Sequence, residues 1–277
     1  MSTPFAPKQI MKIDGAILQE LQGTVTEAVA DELVSKHLPP LEAESVVHDN
    51  GCGYGAVTMA VMAQNPPASI KIHATDINPM FMDQIRSTVK ENPDWPVTVE
   101  NMDAQKLTFD DNTFSHSITG FVFAILPDAV EAAQQIRRTV KRGGTAAVAV
   151  WDEVPWAAAV ENAHRKTRGD VPMGPFMSKI VYQQSHLDKA LKAAGWEKIN
   201  YVRKEVWLSL GTDISRWANI TWSIGGVAAG GWTQNDEDQW ETAITTISED
   251  VKNNEWYKFE DGVHKIRMVA SVGIAQK

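Results

Sequence analysis

The sequence predicts an α/β fold in which helices cover both faces of a doubly wound, mainly parallel sheet. One observation is the stretch 46–55, where a short apolar run leads into an acid and then into glycines at alternate positions, ahead of a helical pattern. That order indicates strand, tight turn and helix, because glycine lets the backbone bend sharply and lets a ligand approach it closely. The other observation is the alternation of strand-like and helix-like stretches from there to residue 151, which favours parallel strands joined by helices.

The elements before residue 152 follow from periodicity and from residues that end helices. Residues 15–37 carry a loose apolar stripe of helical spacing, which ends at Pro39-Pro40. Gly143-Gly144 comes directly after two basic residues and predicts the capped C-terminus of a helix. The strands are predicted at 46–49, 70–75, 97–101, 115–120 and 145–151, and the helices between them at 55–64, 79–92 and 127–141.

The pattern changes after residue 151. Prolines at 155, 172 and 175 predict irregular structure or short helices over 152–183. The tryptophan-rich stretch 211–263 is interpreted as an inserted cap over a pocket. Beyond these, a helix is expected at 183–194 and strands at 198–210 and 265–275. The predicted domains are a helical lid at 1–43, a ligand-binding core at 44–152, and a remainder at 153–277 that completes the sheet and holds the cap at 153–183 and 211–263.

Composition limits the classes of partner. The net charge is −9 without a basic block, which argues against a nucleic-acid partner. No apolar run reaches the roughly 18 residues of a membrane span, and the N-terminal stretch lacks the apolar centre of a secretion signal, so we expect a cytoplasmic protein that acts on a small molecule. The single cysteine, Cys52, excludes an intrachain disulfide. The seven histidines include no pair at i, i+4 spacing, so no metal site is predicted.

Three acids at strand ends indicate the kind of cofactor. The glycine spacing is G-x-G-x-G rather than the G-x-G-x-x-G of dinucleotide sites, and Asp49 lies two residues before the first glycine. A carboxylate there would repel a pyrophosphate and would suit an ammonium group. Asp76 ends the second strand, where an acid can accept hydrogen bonds from both ribose hydroxyls. Asp103 follows the third strand, where an acid can accept one from an adenine amine. Amine, ribose and adenine in this order describe S-adenosylmethionine.

In these residues the chain resembles the class I S-adenosylmethionine-dependent methyltransferases. The resemblance rests on residues 49–55, 76, 103–104, 114–128 and 142–144. It implies a seven-stranded Rossmann-like sheet in which 265–275 is an antiparallel strand near the edge. The residues that it places on the cofactor are Asp49, Asn50, Gly51 and Gly53 at the methionine end, Asp76 at the ribose, Ile77, Asp103 and Ala104 at the adenine, and Thr119, Gly120 and Phe121 near the sulfonium and the substrate.

More narrowly, the chain is similar to fungal secondary-metabolite methyltransferases of the gliotoxin thiol methyltransferase type. The shared stretches are 49–57, 126–129, and a strand that ends at Trp151 shortly before Trp156. This implies methyl transfer to a thiol, amine or hydroxyl group of a small-molecule natural product.

No residue is assigned as a catalytic base, because this chain has Ala124-Ile125 where many such proteins carry a polar side chain. The candidates for contact with the reacting atoms are Phe121, Trp151 and Trp156, since α/β sites open at the carboxyl ends of strands. Two alternatives remain: a protein of this fold that uses the bound cofactor for a cyclisation without methyl transfer, and a regulatory protein. The sequence predicts no oligomeric state.

Overall fold

The computed structural model describes residues 5–174, 177 and 183–277. They divide into two compact units. The sheet unit consists of Thr26–Asp152, Tyr182–Lys204 and Ala270–Lys277, and the helical unit consists of Met1–Val25, Glu153–Val181 and Glu205–Val269. No helix in the described ranges is long and apolar enough to cross a membrane.

The strands of the sheet are joined in the order β3-β2-β1-β4-β5-β8-β6, with β7 paired to β8. Neighbours among the first five strands run parallel. The strands are β1 (Val46–Asn50), β2 (Lys71–Asp76), β3 (Val97–Asn101), β4 (Phe114–Gly120), β5 (Val140–Glu153), β6 (Ile199–Ser209), β7 (Tyr257–Glu260) and β8 (Val263–Gln276).

The predicted α/β fold class is confirmed. Parallel pairing sets Asp49 beside Ala74 and Ile118, and sets Asp76 beside Asn101, so the carboxyl ends of β1 to β4 share one edge of the sheet. Near the start of β5, the Gly143 N–H donates a hydrogen bond to the Lys277 carbonyl oxygen at 2.7 Å. This bond sets the start of β5 beside the end of β8, which makes the pair antiparallel. Within the described ranges, the sheet has one strand more than predicted, the short β7.

Helices flank these strands in the order that the sequence predicts up to residue 139. The stretch 15–37 is two helices and a π-helical turn, interrupted at Gly23, whose φ is 55°. The helices are α1 (Gly15–Gln22), α2 (Val25–Glu32), α3 (Ala56–Ala63), α4 (Pro79–Glu91), α5 (Ala129–Thr139), α6 (Pro155–Arg168), α7 (Gln184–Ala193), α8 (Ile214–Gly225), α9 (Gln234–Asp238) and α10 (Trp240–Lys252).

Two local predictions are wrong. Gly143-Gly144 does not cap a helix, because α5 ends at Thr139 and both glycines lie inside β5. A Cβ on Gly144 would approach the carbonyl oxygens of Lys141 and Ser115 to 3.0 Å, so the glycine permits close strand approach instead. The prediction of irregular structure or short helices over 152–183 is wrong for 155–168, which form the single 14-residue helix α6. Pro155 occupies its first turn, where the missing N–H costs nothing. The part of this prediction that falls on 175–176 and 178–182 lies outside the described residues.

The interior of the helical unit is built from α6, α8 and α10, which pack against one another. Tryptophan side chains from all three helices are buried there: Trp156, Trp217, Trp222 and Trp240. The N-terminal segment belongs to the same unit, where Glu20 accepts two hydrogen bonds from the Arg216 guanidinium at 2.6 and 2.7 Å. The predictions of a lid at 1–43 and of a cap remain predictions.

Candidate active site

The turn after β1 requires glycine for two reasons, the positive φ of its backbone and the close approach of neighbouring side chains. Gly51, Gly53 and Gly55 all have positive φ, at 71°, 52° and 91°. A Cβ on Gly51 would lie 2.4 Å from a methyl group of Val122, and one on Gly55 would lie 2.8 Å from a methyl group of Ile85. A Cβ on Gly53 would meet nothing within 4 Å. Two glycines therefore serve packing, and the third leaves open space beside the backbone.

Asp76 lies against this turn. Its Oδ2 accepts a hydrogen bond from the Gly53 N–H at 2.9 Å, and its Oδ1 accepts one from the Asn78 N–H at 2.8 Å. The Asn101 side chain donates to the Asp76 carbonyl oxygen at 2.9 Å, which joins the ends of β2 and β3. The structure thus brings together Gly53 and Asp76, which the sequence places 23 residues apart.

Asp49 is almost fully buried, and its carboxylate is directed at α3. Oδ2 accepts hydrogen bonds from the N–H and from the hydroxyl of Thr58, at 3.0 and 2.7 Å. Burial raises the pKa of Asp49 to about 6, and the nearby charge of Asp76 acts in the same direction. Thr58 was not predicted as a partner of Asp49, because this contact depends on how α3 docks on β1.

Asn50 carries an unused hydrogen-bond acceptor at the end of β1. The side chain is fully buried, and its Nδ2 donates to the Thr119 hydroxyl at 3.1 Å. Its Oδ1 has no partner in the described part of the chain. Buried polar atoms are normally paired, so this oxygen marks a place where a donor is expected from outside the chain.

The end of β4 and the residue that follows it combine a strained backbone with open space. Phe121 has a φ of 60°, which is unusual for a bulky residue and costs on the order of 1–3 kcal/mol. Its ring stacks on Trp151 with centroids 4.1 Å apart and planes 15° apart. A Cβ on Gly120 would meet nothing within 4 Å. Such strained residues concentrate at functional sites.

The predicted adenine residues lie at the same sheet edge. Asp103 accepts a hydrogen bond from the Gln105 N–H at 2.9 Å in an Asx turn, and Ala104 is buried beside it in sequence. Ile77 follows Asp76 and is 64% exposed, a large apolar side chain left open to a ligand.

One predicted candidate, Trp156, differs in position from the rest. Trp156 belongs to the helical unit, where it is buried against Trp217, whereas Phe121 and Trp151 belong to the sheet unit. Cys52 packs with Ala74 and Ile85, and burial raises the pKa of its thiol. Cys52 is therefore a packing residue, and its thiol is a poor nucleophile.

This strand order, with a glycine turn after β1 and acids at the ends of β1 and β2, is the class I methyltransferase fold. Comparison with known proteins agrees with it. Residues 47–144 match the family described as "Methyltransferase domain".

Among relatives, the chain is similar to methyltransferase ktnA of Aspergillus niger, with 23% identity over 273 residues, 87% of this chain and 88% of the relative. Two solved structures share the fold. The YcgJ protein of Bacillus subtilis matches with a TM-score of 0.58 and 15% identity, over 91% of this chain and 98% of its own. Phosphoethanolamine N-methyltransferase 2 of Haemonchus contortus, solved in complex with S-adenosyl-L-methionine, matches with a TM-score of 0.53 and 14% identity, over 89% of this chain and 52% of its own.

Proposed function

We propose that the protein is an S-adenosylmethionine-dependent methyltransferase that acts on a small-molecule natural product in secondary metabolism. The observation that carries this proposal is the buried Oδ1 of Asn50. This oxygen has no partner among the described residues, and Asn50 lies next in sequence to the turn that Gly53 leaves open. S-adenosylmethionine has an ammonium group that can donate to such an oxygen. The similarity to a methyltransferase family over residues 47–144 supports the same function.

The residues present suit this cofactor at each of its parts. Asn50 would hold the ammonium group, and the negative charge of buried Asp49 would favour the same cation. Asp76 would hold the ribose hydroxyls in place of its present bond to the Gly53 N–H. Ile77 would cover one face of the adenine, and Asp103 would accept from its amine. Gly51, Ala104, Thr119, Gly120 and Phe121 complete the proposed set.

The cofactor supplies an activated methyl group on a sulfonium, so the protein needs to supply mainly proximity and alignment, which can contribute several kcal/mol, up to about 7–11. The stacked pair of Phe121 and Trp151 would provide a rigid apolar wall that excludes water from the acceptor atom. We propose a thiol, amine or hydroxyl acceptor and assign no catalytic base.

A matched pair of glycine substitutions tests the cofactor site. Gly53→Ala and Gly143→Ala both place a Cβ at positive φ with nothing within 4 Å, so the backbone cost should be similar, about 1–2 kcal/mol each. Only the Cβ at position 53 would occupy cofactor space. We expect Gly53→Ala to weaken S-adenosylhomocysteine binding at least about tenfold by isothermal titration calorimetry, and Gly143→Ala to leave it unchanged.

Two further results decide the proposal. Wild-type protein that binds neither S-adenosylmethionine nor S-adenosylhomocysteine would refute it. Once binding is established, mass spectrometry of a metabolite extract incubated with protein and cofactor should show a product heavier by one methylene group. A product of unchanged mass would instead favour the cyclisation alternative.

A further inference from the structure

The helical unit contains several buried hydrogen-bond donors without partners. In the described part of this unit, the unpaired buried groups include three indole N–H groups and one threonine hydroxyl, those of Trp156, Trp217, Trp222 and Thr221. Native proteins pair more than about nine-tenths of such groups, so this concentration needs a physical reason.

Three of these groups are neighbours. Trp156 on α6 meets Trp217 on α8 edge to face, with ring centroids 5.7 Å apart and planes at 85°. Thr221 follows Trp217 by four residues on α8, which places both side chains on one face of that helix. All three are at least nine-tenths buried, with exposures of 5%, 2% and 2% in sequence order. We call Trp156, Trp217 and Thr221 the donor cluster.

The same unit satisfies comparable groups elsewhere. Thr167 and Thr246 donate their hydroxyl hydrogens to the carbonyl oxygens four residues earlier, at 2.8 and 2.7 Å. The Trp240 N–H donates to the Asn219 side-chain oxygen at 3.0 Å. The hydroxyl of Thr221 makes no such bond to its own helix. Buried hydroxyl and indole groups of this unit can therefore find partners. Among the described residues, the unpaired buried atoms of the unit outside the donor cluster are Arg168 Nη2, Trp222 Nε1, Ser248 Oγ and Arg267 Nε. What distinguishes the donor cluster is that three unpaired groups are neighbours there.

The chemistry of the cluster defines the missing partner. An indole N–H can only donate, so the partner must be an acceptor. The three side chains of the cluster carry no charge. The buried cation Arg168, twelve residues after Trp156 on α6, is paired with Asp236 at 2.5 Å. A buried anion would need a cation of its own, so the acceptor is a neutral oxygen, and the tryptophan rings offer flat apolar walls around it.

We propose that the donor cluster is the polar end of a binding site in the helical unit for a flat, conjugated molecule with a neutral carbonyl or phenol oxygen. A buried water molecule could take the same three donors, and that is the competing explanation.

The test uses two tricyclic probes of the same shape, 9-fluorenone, which has a carbonyl oxygen, and fluorene, which has none. In protein labelled with ¹⁵N at the indole nitrogens, 9-fluorenone should move the N–H signals of Trp156 and Trp217 downfield, and fluorene should not. Single Trp→Phe variants assign the two signals. By calorimetry, 9-fluorenone should bind about tenfold more tightly than fluorene.

Two threonine variants provide the matched comparison. Thr221→Val replaces the hydroxyl of the donor cluster by a methyl group, and it should lower the affinity for 9-fluorenone about fivefold while leaving that for fluorene unchanged. Thr246→Val makes the same exchange at a buried hydroxyl that bonds its own helix, and it should change neither affinity. In the free protein, Thr246→Val should lower the urea midpoint of unfolding, and Thr221→Val should not, because no hydrogen bond is lost there.

Each other outcome overturns the inference. It fails if 9-fluorenone does not bind, if both probes bind equally, or if both threonine variants lower the 9-fluorenone affinity alike. Indole signals that exchange with a long-lived water and ignore both probes would show a water site only. S-adenosylhomocysteine calorimetry separates this failure from that of the proposed function, because cofactor binding without a 9-fluorenone preference removes only the present inference.

Discussion

Replacing Asp49 by asparagine should stabilise the protein near neutral pH. The Asp49 side chain is 1% exposed, and burial raises the pKa of its carboxyl group from the ordinary 3.8 to about 6. Both of its hydrogen bonds come from Thr58, whose N–H and hydroxyl donate to a single oxygen. The amide oxygen of asparagine can accept both bonds, so the substitution removes the buried charge and keeps the contact.

The magnitude follows from linkage between folding and protonation. A pKa that is higher in the folded than in the unfolded protein stabilises the fold below the unfolded pKa, and this stability is lost as pH rises through the folded pKa. For Asp49 the window runs from 3.8 to about 6. At about 1.4 kcal/mol for each pKa unit, the wild-type protein loses up to about 3 kcal/mol there, and the asparagine variant does not.

The assay is urea unfolding of both proteins at about pH 4 and about pH 8. The free energies of unfolding should be similar at the lower pH and should differ by about 1–3 kcal/mol in favour of the variant at the higher pH. Asp103→Asn is the control, because it removes a carboxylate from a half-buried Asx turn that an amide can preserve. A variant less stable than wild type at about pH 8, or a difference independent of pH, would refute the reasoning.

Asp49→Asn should also weaken the binding of S-adenosylhomocysteine, because the proposed role of the charge is to favour the cofactor's ammonium group. Cofactor binding to wild-type protein near pH 6 should accordingly release protons, which calorimetry in buffers of different ionisation enthalpy detects. An unchanged affinity in the variant would confine Asp49 to its contact with Thr58.

Three other predictions concern single sites. Asp236→Asn should destabilise the protein by about 3 kcal/mol, because it leaves the buried Arg168 charge without a charged partner. Addition of Arg168→Met should recover part of this loss in urea unfolding, and additive losses would contradict the account. The thiol of Cys52 should resist iodoacetamide in folded protein and react only in denaturant, because burial raises its pKa. Intact-mass measurement checks this, and equal rates of alkylation in folded and denatured protein would contradict it. Phe121→Gly should change the free energy of unfolding by no more than about 2 kcal/mol, because relief of the positive φ offsets loss of the stack on Trp151. The same variant should lower the rate of methyl transfer by at least about tenfold. An unchanged rate would show that Phe121 does not belong to the site.

Local sequence signals were sufficient where neighbouring residues decide the structure. The turn from β1 into α3 was predictable because the glycines and the flanking apolar residues specify it within ten positions. Asp76 was predictable as a neighbour of the turn because parallel pairing brings the carboxyl ends of β1 and β2 to one edge. Neither inference required knowledge of a distant contact.

Contacts between distant residues decided the features that were predicted wrongly. The two basic residues before Gly143-Gly144 predict a helix cap, but the strand at these glycines pairs with Lys277 at the far end of the chain. Pro155 was interpreted as a sign of irregular structure, but proline also suits the first turn of a helix, and α6, which packs against α10, begins there. The bond from Asp49 to Thr58 and the donor cluster likewise depend on docking of helices, which short-range periodicity does not encode.

The glycine turn shows why a motif by itself is weak support for a binding site. Of its three glycines, Gly51 and Gly55 are required by the side chains of Val122 and Ile85, whatever the protein binds. Only Gly53 borders open space. A chain with alanine at that position would keep the packing that the other two glycines permit, at a backbone cost of about 1–2 kcal/mol, and would lose the space beside the turn. If the proposed function holds, the cofactor would lie beside the middle glycine and next to the Asn50 oxygen, which has no partner among the described residues, whereas the two flanking glycines are explained by packing alone.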